Sequence, residues 1–137
     1  MAPSPGSALP STERFLEFWR ERHLCTVTTL RPDGTPHVVP MGFVIDPDTG
    51  TAWAITSGTS RKVANIRSAG PEGALIAVCQ VDGRWWSTLE GRVQVREDAA
   101  SVAEAVARYT ERYRVPRENP ERVALHVQVT RVLGNVG

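Results

Sequence analysis

The chemistry-bearing residues that stand out in the chain are two cations at the start of a predicted helix. The stretch SGTSRKVANIR, residues 57–67, has the small polar residues of a helix start, followed at once by Arg61 and Lys62. The N-terminus of a helix is the positive end of its dipole, so cations there are repelled by about a few tenths of a kcal/mol or more. A bound phosphate would be attracted by the dipole, by free backbone N–H groups and by both charges. The alternative is a capped helix with a solvated basic face.

The residues just before these cations are suited to the same anion. Thr59 or Ser60 can cap the helix, and Thr56, Ser57 and Gly58 can place hydroxyl and N–H groups along its mouth. We therefore predict a local anion site at the junction between a strand and this helix.

Other kinds of catalytic or metal site are not indicated. The histidines His23, His37 and His126 have no metal-ligand spacing, and there is no HExxH or Cys/His cluster, so no metal site is predicted. His23 and His126 are expected to be structural, whereas His37 is left open between a structural and a binding role. No serine has a GxSxG context, and there is no GxGxxG or Walker A loop. A cofactor would have to supply any catalysis, and catalytic residues stay unassigned.

Length and charge place these residues in one ordinary domain. The chain has 137 residues, with 16 basic and 15 acidic side chains and a net charge of +1, which argues against general nucleic-acid binding. Residues 1–10 read as a disordered tail rather than a signal peptide, and residues 11–137 as the domain. No apolar run reaches the roughly 20 residues that span a bilayer. Cys25 and Cys79 lie in apolar, strand-like runs without a CxxC or Cys–His spacing, which predicts buried free thiols and a reducing cytoplasm.

The elements that must position the site are mostly strands joined by tight turns. A capped helix is predicted over Ser11–Arg22, the helix of the anion site follows the third strand, and another helix runs from about Asp98 to Tyr113. The strand runs are HLCTVTTL, TPHVVPMGFVI, TAWAIT, ALIAVCQV, RWWSTLEGRVQVRE and RVALHVQVTRVL. Consecutive hairpins predict a mainly β fold with peripheral helices, an antiparallel barrel or a strongly curved sheet.

The longest of these strands, RWWSTLEGRVQVRE, bears on oligomeric state. Neither of its faces is simply polar, which predicts that both are covered; a solvent-facing strand of a monomer is the alternative. One face carries Trp86, Thr88, Glu90 and Arg92, and the other carries Trp85, Leu89, Val93 and Val95.

Taken in order, these elements resemble the pyridoxamine 5′-phosphate oxidase-like split β-barrel superfamily. Within it, the chain is similar to the flavin/deazaflavin oxidoreductases of the B type, which use coenzyme F420. The resemblance runs from about residue 12 onward. The pieces that carry it are ERHLCTVTTLRPDGTPHVVPMGF, SRKVANIR, CQVDGRWWSTLEGR and RYRVPRENPERVALHVQVTRVLG. The last block, with CQVDG, is similar to the F420-dependent biliverdin reductases.

The resemblance implies a split β-barrel homodimer with cofactor sites at the subunit interface. Arg61 and Lys62 would hold the cofactor phosphate, aided by Thr56, Ser57 and Ser60, with Asn65 supporting them one turn beyond Arg61. The ring would lie along the second strand, from His37 to Met41. Gln80 and Trp86 would reach it from the partner subunit.

The implied activity is hydride transfer from F420H2 to a flat conjugated acceptor, biliverdin by resemblance. Arg108, Arg112, Arg114 and Arg117 could bind its propionates, bind the cofactor's oligoglutamate tail or keep a helix soluble. The alternatives are a non-catalytic F420 or FMN carrier and an FMN-dependent oxidoreductase. Vitamin B6 oxidation is disfavoured, because the chain lacks the longer C-terminal region of the oxidase itself.

Overall fold

The computed structural model describes residues 7–137, and within them the chain forms three helices and seven strands. In chain order these are α1 (Glu13–Arg20), β1 (Cys25–Leu30), β2 (Pro36–Met41), β3 (Val44–Asp46), β4 (Thr51–Ser57), α2 (Arg61–Ser68), β5 (Ala74–Asp82), β6 (Trp85–Arg96), α3 (Ala99–Arg112) and β7 (Arg122–Gly134). All three helices lie within a residue or two of where the sequence places them, and α3 is capped by Asp98 as predicted.

The strands form one antiparallel sheet in the order β2-β1-β5-β6-β7-β4-β3. A β-bulge at Glu90/Gly91 shifts the register between β6 and β7, which bends and twists the sheet there. Gly91 is required at the bulge, because a Cβ on it would lie 2.1 Å from the carbonyl oxygen of Gln128. The predicted mainly β, barrel-like fold with peripheral helices is confirmed.

One predicted strand, TPHVVPMGFVI, is in fact two. β2 pairs with β1 at one edge of the sheet, whereas β3 pairs with β4 at the opposite edge. The break falls at Gly42, where a Cβ would lie 2.6 Å from the ring of Tyr113. Tyr113, the C-cap residue of α3, therefore packs directly against the break that separates β2 from β3. As a result α2 lies between the fourth and fifth strands rather than the third and fourth.

The core lies on the inner face of the curved sheet. α1 contributes Phe15, Phe18 and Trp19 to it, and α2 contributes Val63 and Ile66. α3 packs on the other side of β4 and β7, where its Ala105 contacts the small cluster of Trp53 and Ala124. The helices thus leave the outer face of β2, β1, β5 and β6 without a covering element among the described residues.

This outer face, which we call the open face, is apolar over much of its area. The strand pairing places six large, exposed apolar side chains on this face, the last of them where β7 pairs with β6: Leu30, Val38, Leu75, Val81, Trp86 and Leu133. Within a single chain, the prediction that both faces of β6 are covered holds only for the inner face.

The N-terminal boundary differs from the prediction. Leu9 is buried in the core and Ser7 lies against Gly50, so residues 7–10 belong to the folded unit rather than to a tail. The rest of the predicted tail, residues 1–6, lies outside the described residues. From residue 7 onward, no helix is both long and apolar enough to cross a bilayer.

Candidate anion-binding site

The turn between β4 and α2 is held in position by a close contact with the segment before β7. Gly58 donates its N–H to the carbonyl oxygen of Glu121 at 2.8 Å. A Cβ at this position would lie 3.1 Å from the same oxygen, so a larger residue would push the turn away. The turn Gly58–Ser60 is thereby held against the sheet, and α2 starts directly after it.

The mouth of α2 has an unused hydroxyl. Ser60 occupies the N-cap position, as the sequence predicts, but its side chain makes no capping hydrogen bond. Its Oγ is buried and has no partner among the described residues. Thr59 does not cap the helix either, since its hydroxyl bonds to Ser57 Oγ at 3.0 Å. The helix therefore keeps its first N–H groups free of side-chain caps.

Arg61 and Lys62 place two positive charges at the start of α2, with no acidic side chain of residues 7–137 paired to them. α2 has no acidic residue in its first turn, and neither Arg61 nor Lys62 forms an ion pair within residues 7–137. Arg61 is exposed, whereas Lys62 is partly buried, and this desolvation lowers the pKa of Lys62 below its ordinary value. Lys62 is also the only lysine among the 16 basic residues of the chain.

Thr29 of β1 lies between this helix and β2. Asn65 of α2 is buried and donates its Nδ2 to Thr29 Oγ1 at 3.1 Å, while its Oδ1 has no described partner. Thr29 lies opposite His37 in the β1–β2 register, and His37 Nδ1 is likewise buried without a partner. The sequence predicted that Asn65 lies on the same helix face as Arg61, one turn beyond it. In the structure Arg61 is exposed, whereas Asn65 is buried and contacts Thr29.

These unpaired atoms are concentrated in the predicted site. The described residues contain four buried side-chain polar atoms without a hydrogen-bond partner: His37 Nδ1, Trp53 Nε1, Ser60 Oγ and Asn65 Oδ1. All but Trp53 Nε1 belong to residues that the sequence assigned to cofactor binding. Buried polar groups are normally satisfied, so such a group signals a bound partner such as water or a ligand.

The remaining predicted residues are spread more widely. Thr56 and Ser57 are partly buried at the end of β4, beside the helix mouth. Met41 is partly buried at the far end of β2, where it packs against the core. Trp86 lies on the open face, on the other side of the sheet from α2, and is 38% exposed, so within one chain it is separated from the start of that helix.

Gln80 does not belong to this group. It is completely buried, donates to the carbonyl oxygen of Phe18 at 2.7 Å and accepts a hydrogen bond from Arg112. Both ends of its amide are therefore used inside the core, and no surface of Gln80 is presented to a partner subunit. The sequence prediction for Gln80 is corrected on this ground.

Arg112 is the principal polar residue whose role the sequence did not show. Its guanidinium is buried and donates to the carbonyl oxygens of Glu21 and Phe43 as well as to Gln80. Burial lowers the pKa of Arg112. It therefore holds α3 against the core and is not free to bind an acceptor. Arg108 is also engaged internally, with Asp46 at 3.1 Å.

Known proteins are similar to this chain in sequence and in fold. Residues 11–135 match the family described as "Pyridoxamine 5'-phosphate oxidase". The chain belongs to this family. Over 120 residues, 88% of this chain and 85% of the relative, it is 49% identical to the F420H(2)-dependent biliverdin reductase of Mycobacterium tuberculosis (strain CDC 1551 / Oshkosh).

Solved structures of low sequence identity show that the pyridoxamine 5′-phosphate oxidase-like fold extends over nearly the whole chain. The conserved hypothetical protein Rv2991 of Mycobacterium tuberculosis has a TM-score of 0.74 at 22% identity, covering 98% of this chain and 89% of that one. A protein named F420 Reductase has a TM-score of 0.69 at 23% identity, covering 91% and 98%.

Proposed function

We propose that this protein is an F420H2-dependent reductase that passes a hydride from the deazaflavin to a flat conjugated acceptor, biliverdin. The observation that carries the proposal is the coincidence of the unpaired atoms of Ser60, Asn65 and His37 with an unpaired, partly buried lysine. The relative with 49% identity, which is named for this activity, supports the choice of cofactor and acceptor.

The residues divide the work of holding the cofactor. At the start of α2, the free N–H groups, Ser60 Oγ, Arg61 and Lys62 would donate to its phosphate. Thr56 and Ser57 complete the rim of this phosphate site.

His37 and Met41, on the inner side of β2, would contact the cofactor ring. The unpaired His37 Nδ1 and Asn65 Oδ1 would orient its polar edge. When bound, the deazaflavin supplies the hydride, and the chain orients the ring and excludes water.

Charged groups for an acidic acceptor are fewer than the sequence suggested. Arg112 and Arg108 are committed to internal contacts, whereas Arg114 and Arg117 are exposed in the α3–β7 loop. That loop contacts the β4–α2 turn through Gly58 and Glu121. Arg114 and Arg117 are therefore the arginines that we assign to the carboxylates of the acceptor or of the cofactor's tail.

A second copy of the chain covers the open face in this proposal. The face carries large exposed apolar side chains, such as Leu75 and Val81 at 57% and 58% exposure, and an exposed apolar face of this kind marks an interaction surface. A two-fold dimer through this face also brings Trp86 of each chain toward the other. The free thiols of Cys25 and Cys79 fit a reducing compartment, and we place the protein in the cytoplasm.

The decisive experiment is a parallel titration with F420 and FMN, followed by oxidation of F420H2 with and without biliverdin. We expect F420 to bind, and F420H2 to be consumed only when biliverdin is present. Binding of F420 without turnover would identify a carrier. A yellow protein as isolated, holding FMN more tightly than F420, would identify a flavoprotein and contradict the proposal.

The dimer has its own test in sedimentation of the 15.0 kDa chain at micromolar concentration. One dimeric species is expected, and Val81→Arg should yield monomers because it places a charge within the open face. Val115→Arg is the matched control, since Val115 is 76% exposed in the α3–β7 loop and lies outside that face. A wild-type monomer that binds cofactor normally would contradict the shared site.

A further inference from the structure

Three side chains with metal-binding atoms meet at the end of the barrel where α1 joins β1. Glu21 caps the C-terminus of α1, His23 precedes β1, and Asp82 ends β5. His23 Nε2 lies 3.4 Å from Glu21 Oε2 and 3.8 Å from Asp82 Oδ2. One donor atom from each residue lies within 4.8 Å of the other two.

The segment that carries two of these donors is fixed by contacts from α3 and its C-cap. Arg112 donates to the carbonyl oxygen of Glu21 at 3.0 and 2.7 Å, and Tyr113 Oη donates to that of His23 at 2.7 Å. These bonds use only the carbonyl oxygens of Glu21 and His23, so the two side chains are left to contact each other and Asp82. The backbone therefore presents Glu21 and His23 toward Asp82 in a defined arrangement.

The two separations from His23 Nε2, 3.4 and 3.8 Å, are close to the spacing of ligands around a small ion, and the two carboxylate oxygens lie within 4.8 Å of each other. Ligands about 2.1 Å from a tetrahedral ion lie roughly 3.4 Å from one another. One imidazole nitrogen and two carboxylate oxygens suit zinc and similar divalent transition ions, whereas Ca²⁺ and Mg²⁺ prefer oxygen ligands alone. We propose that Glu21, His23 and Asp82 bind one such ion, with water in the remaining position.

The bound ion would connect two parts of the chain that are distant in sequence. Glu21 and His23 lie in the α1–β1 connection, whereas Asp82 begins the β5–β6 turn. Because the ion binds the folded state and not the separated ligands, it should stabilise the fold. This site is independent of the cofactor proposal, since it uses none of the residues assigned there.

The test uses the full chain without an affinity tag. Cobalt(II) absorption and zinc competition measure affinity, and the melting temperature measures stabilisation. We expect one ion per chain and a higher melting temperature with zinc. His23→Ala and Asp82→Asn should each weaken binding by about tenfold or more, the scale of losing even an outer-shell partner. Glu17→Gln, an exposed carboxylate of α1, is the matched control and should bind as the wild type does.

Three outcomes would overturn the proposal. They are no zinc-dependent change in melting temperature, binding as tight as that of the wild type in both ligand variants, or a thiolate-to-cobalt band that places the ion on a cysteine. The first would leave only an ion pair between His23 and its two carboxylates. If His23→Ala does not fold, Asp82→Asn decides the matter, because it changes an exposed carboxylate to an amide of the same shape.

Discussion

Replacing Lys62 by alanine should have opposite effects on the free and the cofactor-bound protein. Without a ligand, the substitution removes a partly buried cation that has no counter-charge within residues 7–137 and stands at the positive end of α2. Both the desolvation and the helix dipole disfavour that charge. The free energy of unfolding of Lys62→Ala should therefore equal or exceed that of the wild type.

With the cofactor bound, the same substitution removes a charge-assisted contact to the phosphate. Such a contact contributes roughly 1.5–3 kcal/mol. Because each 1.4 kcal/mol is about tenfold in a binding constant, F420 affinity should fall by about tenfold to a hundredfold. Inorganic phosphate should compete with F420 in the wild type and much less in the variant. Arg22→Ala, which removes an exposed charge with no described side-chain partner, should change neither property.

The pH dependence gives an independent check. A lysine pKa that is lower in the folded than in the unfolded state makes stability rise as the pH is raised through that lowered pKa toward 10.5. Phosphate should raise the pKa of Lys62 and reduce this slope, and Lys62→Ala should lack it. Since Lys62 is the only lysine, reductive methylation with labelled formaldehyde gives a single lysine NMR signal for the titration.

Two results would refute this reasoning. If Lys62→Ala keeps its F420 affinity within a factor of about two, only ~0.4 kcal/mol, the phosphate is bound elsewhere. If the variant is markedly less stable without ligand, Lys62 makes favourable interactions within the free protein, and an anion site does not explain its charge.

The other predictions concern the residues around this charge and in the core. Ser60→Ala should lower the stability of the free protein less than Thr12→Ala does, because Thr12 Oγ1 accepts a capping hydrogen bond from Phe15 N at 3.3 Å, worth about 1 kcal/mol, whereas Ser60 Oγ has no described partner. Ser60→Ala should still weaken F420 binding. Urea unfolding measures the stabilities, and titration measures the affinity. Gln80→Ala should lower stability by about 1–3 kcal/mol because it leaves buried groups unpaired; an unchanged melting temperature would contradict this. Burial lowers the pKa of His126 to about 4, so stability should fall as the pH drops from 6.5 toward 4, and His126→Gln should flatten that fall.

Features set by neighbouring residues were predictable from the sequence. The start of α2 at Arg61 and the hairpin at Asp82-Gly83 follow from local turn and capping preferences. Asp98 caps α3, with Oδ2 accepting from Ser101 N at 2.9 Å, for the same reason. The charge conflict at the start of α2 was also visible in the sequence, because Arg61 and Lys62 directly follow the cap residue Ser60.

Features set by distant residues were not predictable in this way. Gln80 is placed in the core by Phe18 and Arg112, 62 and 32 positions away, and a glutamine in an apolar strand reads equally well as a ligand contact. The division of TPHVVPMGFVI follows from strand pairing, because its two halves pair with β1 and β4 at opposite edges of the sheet. The Glu21–His23–Asp82 cluster has no sequence spacing to reveal it, because Asp82 arrives through strand pairing.

The choice of lysine at position 62 agrees with the role of an anion site. Every other basic residue of the chain is arginine, and Arg112 shows how arginine is used when a cation must be buried permanently: its several donors satisfy several carbonyl oxygens. Position 62 offers no such acceptors among the described residues. A compact ammonium on a flexible stem tolerates that environment, because its pKa falls readily on desolvation and recovers when an anion arrives. A guanidinium at this position would leave several fixed donors without acceptors, whereas the ammonium places one compact charge where a phosphate can contact it.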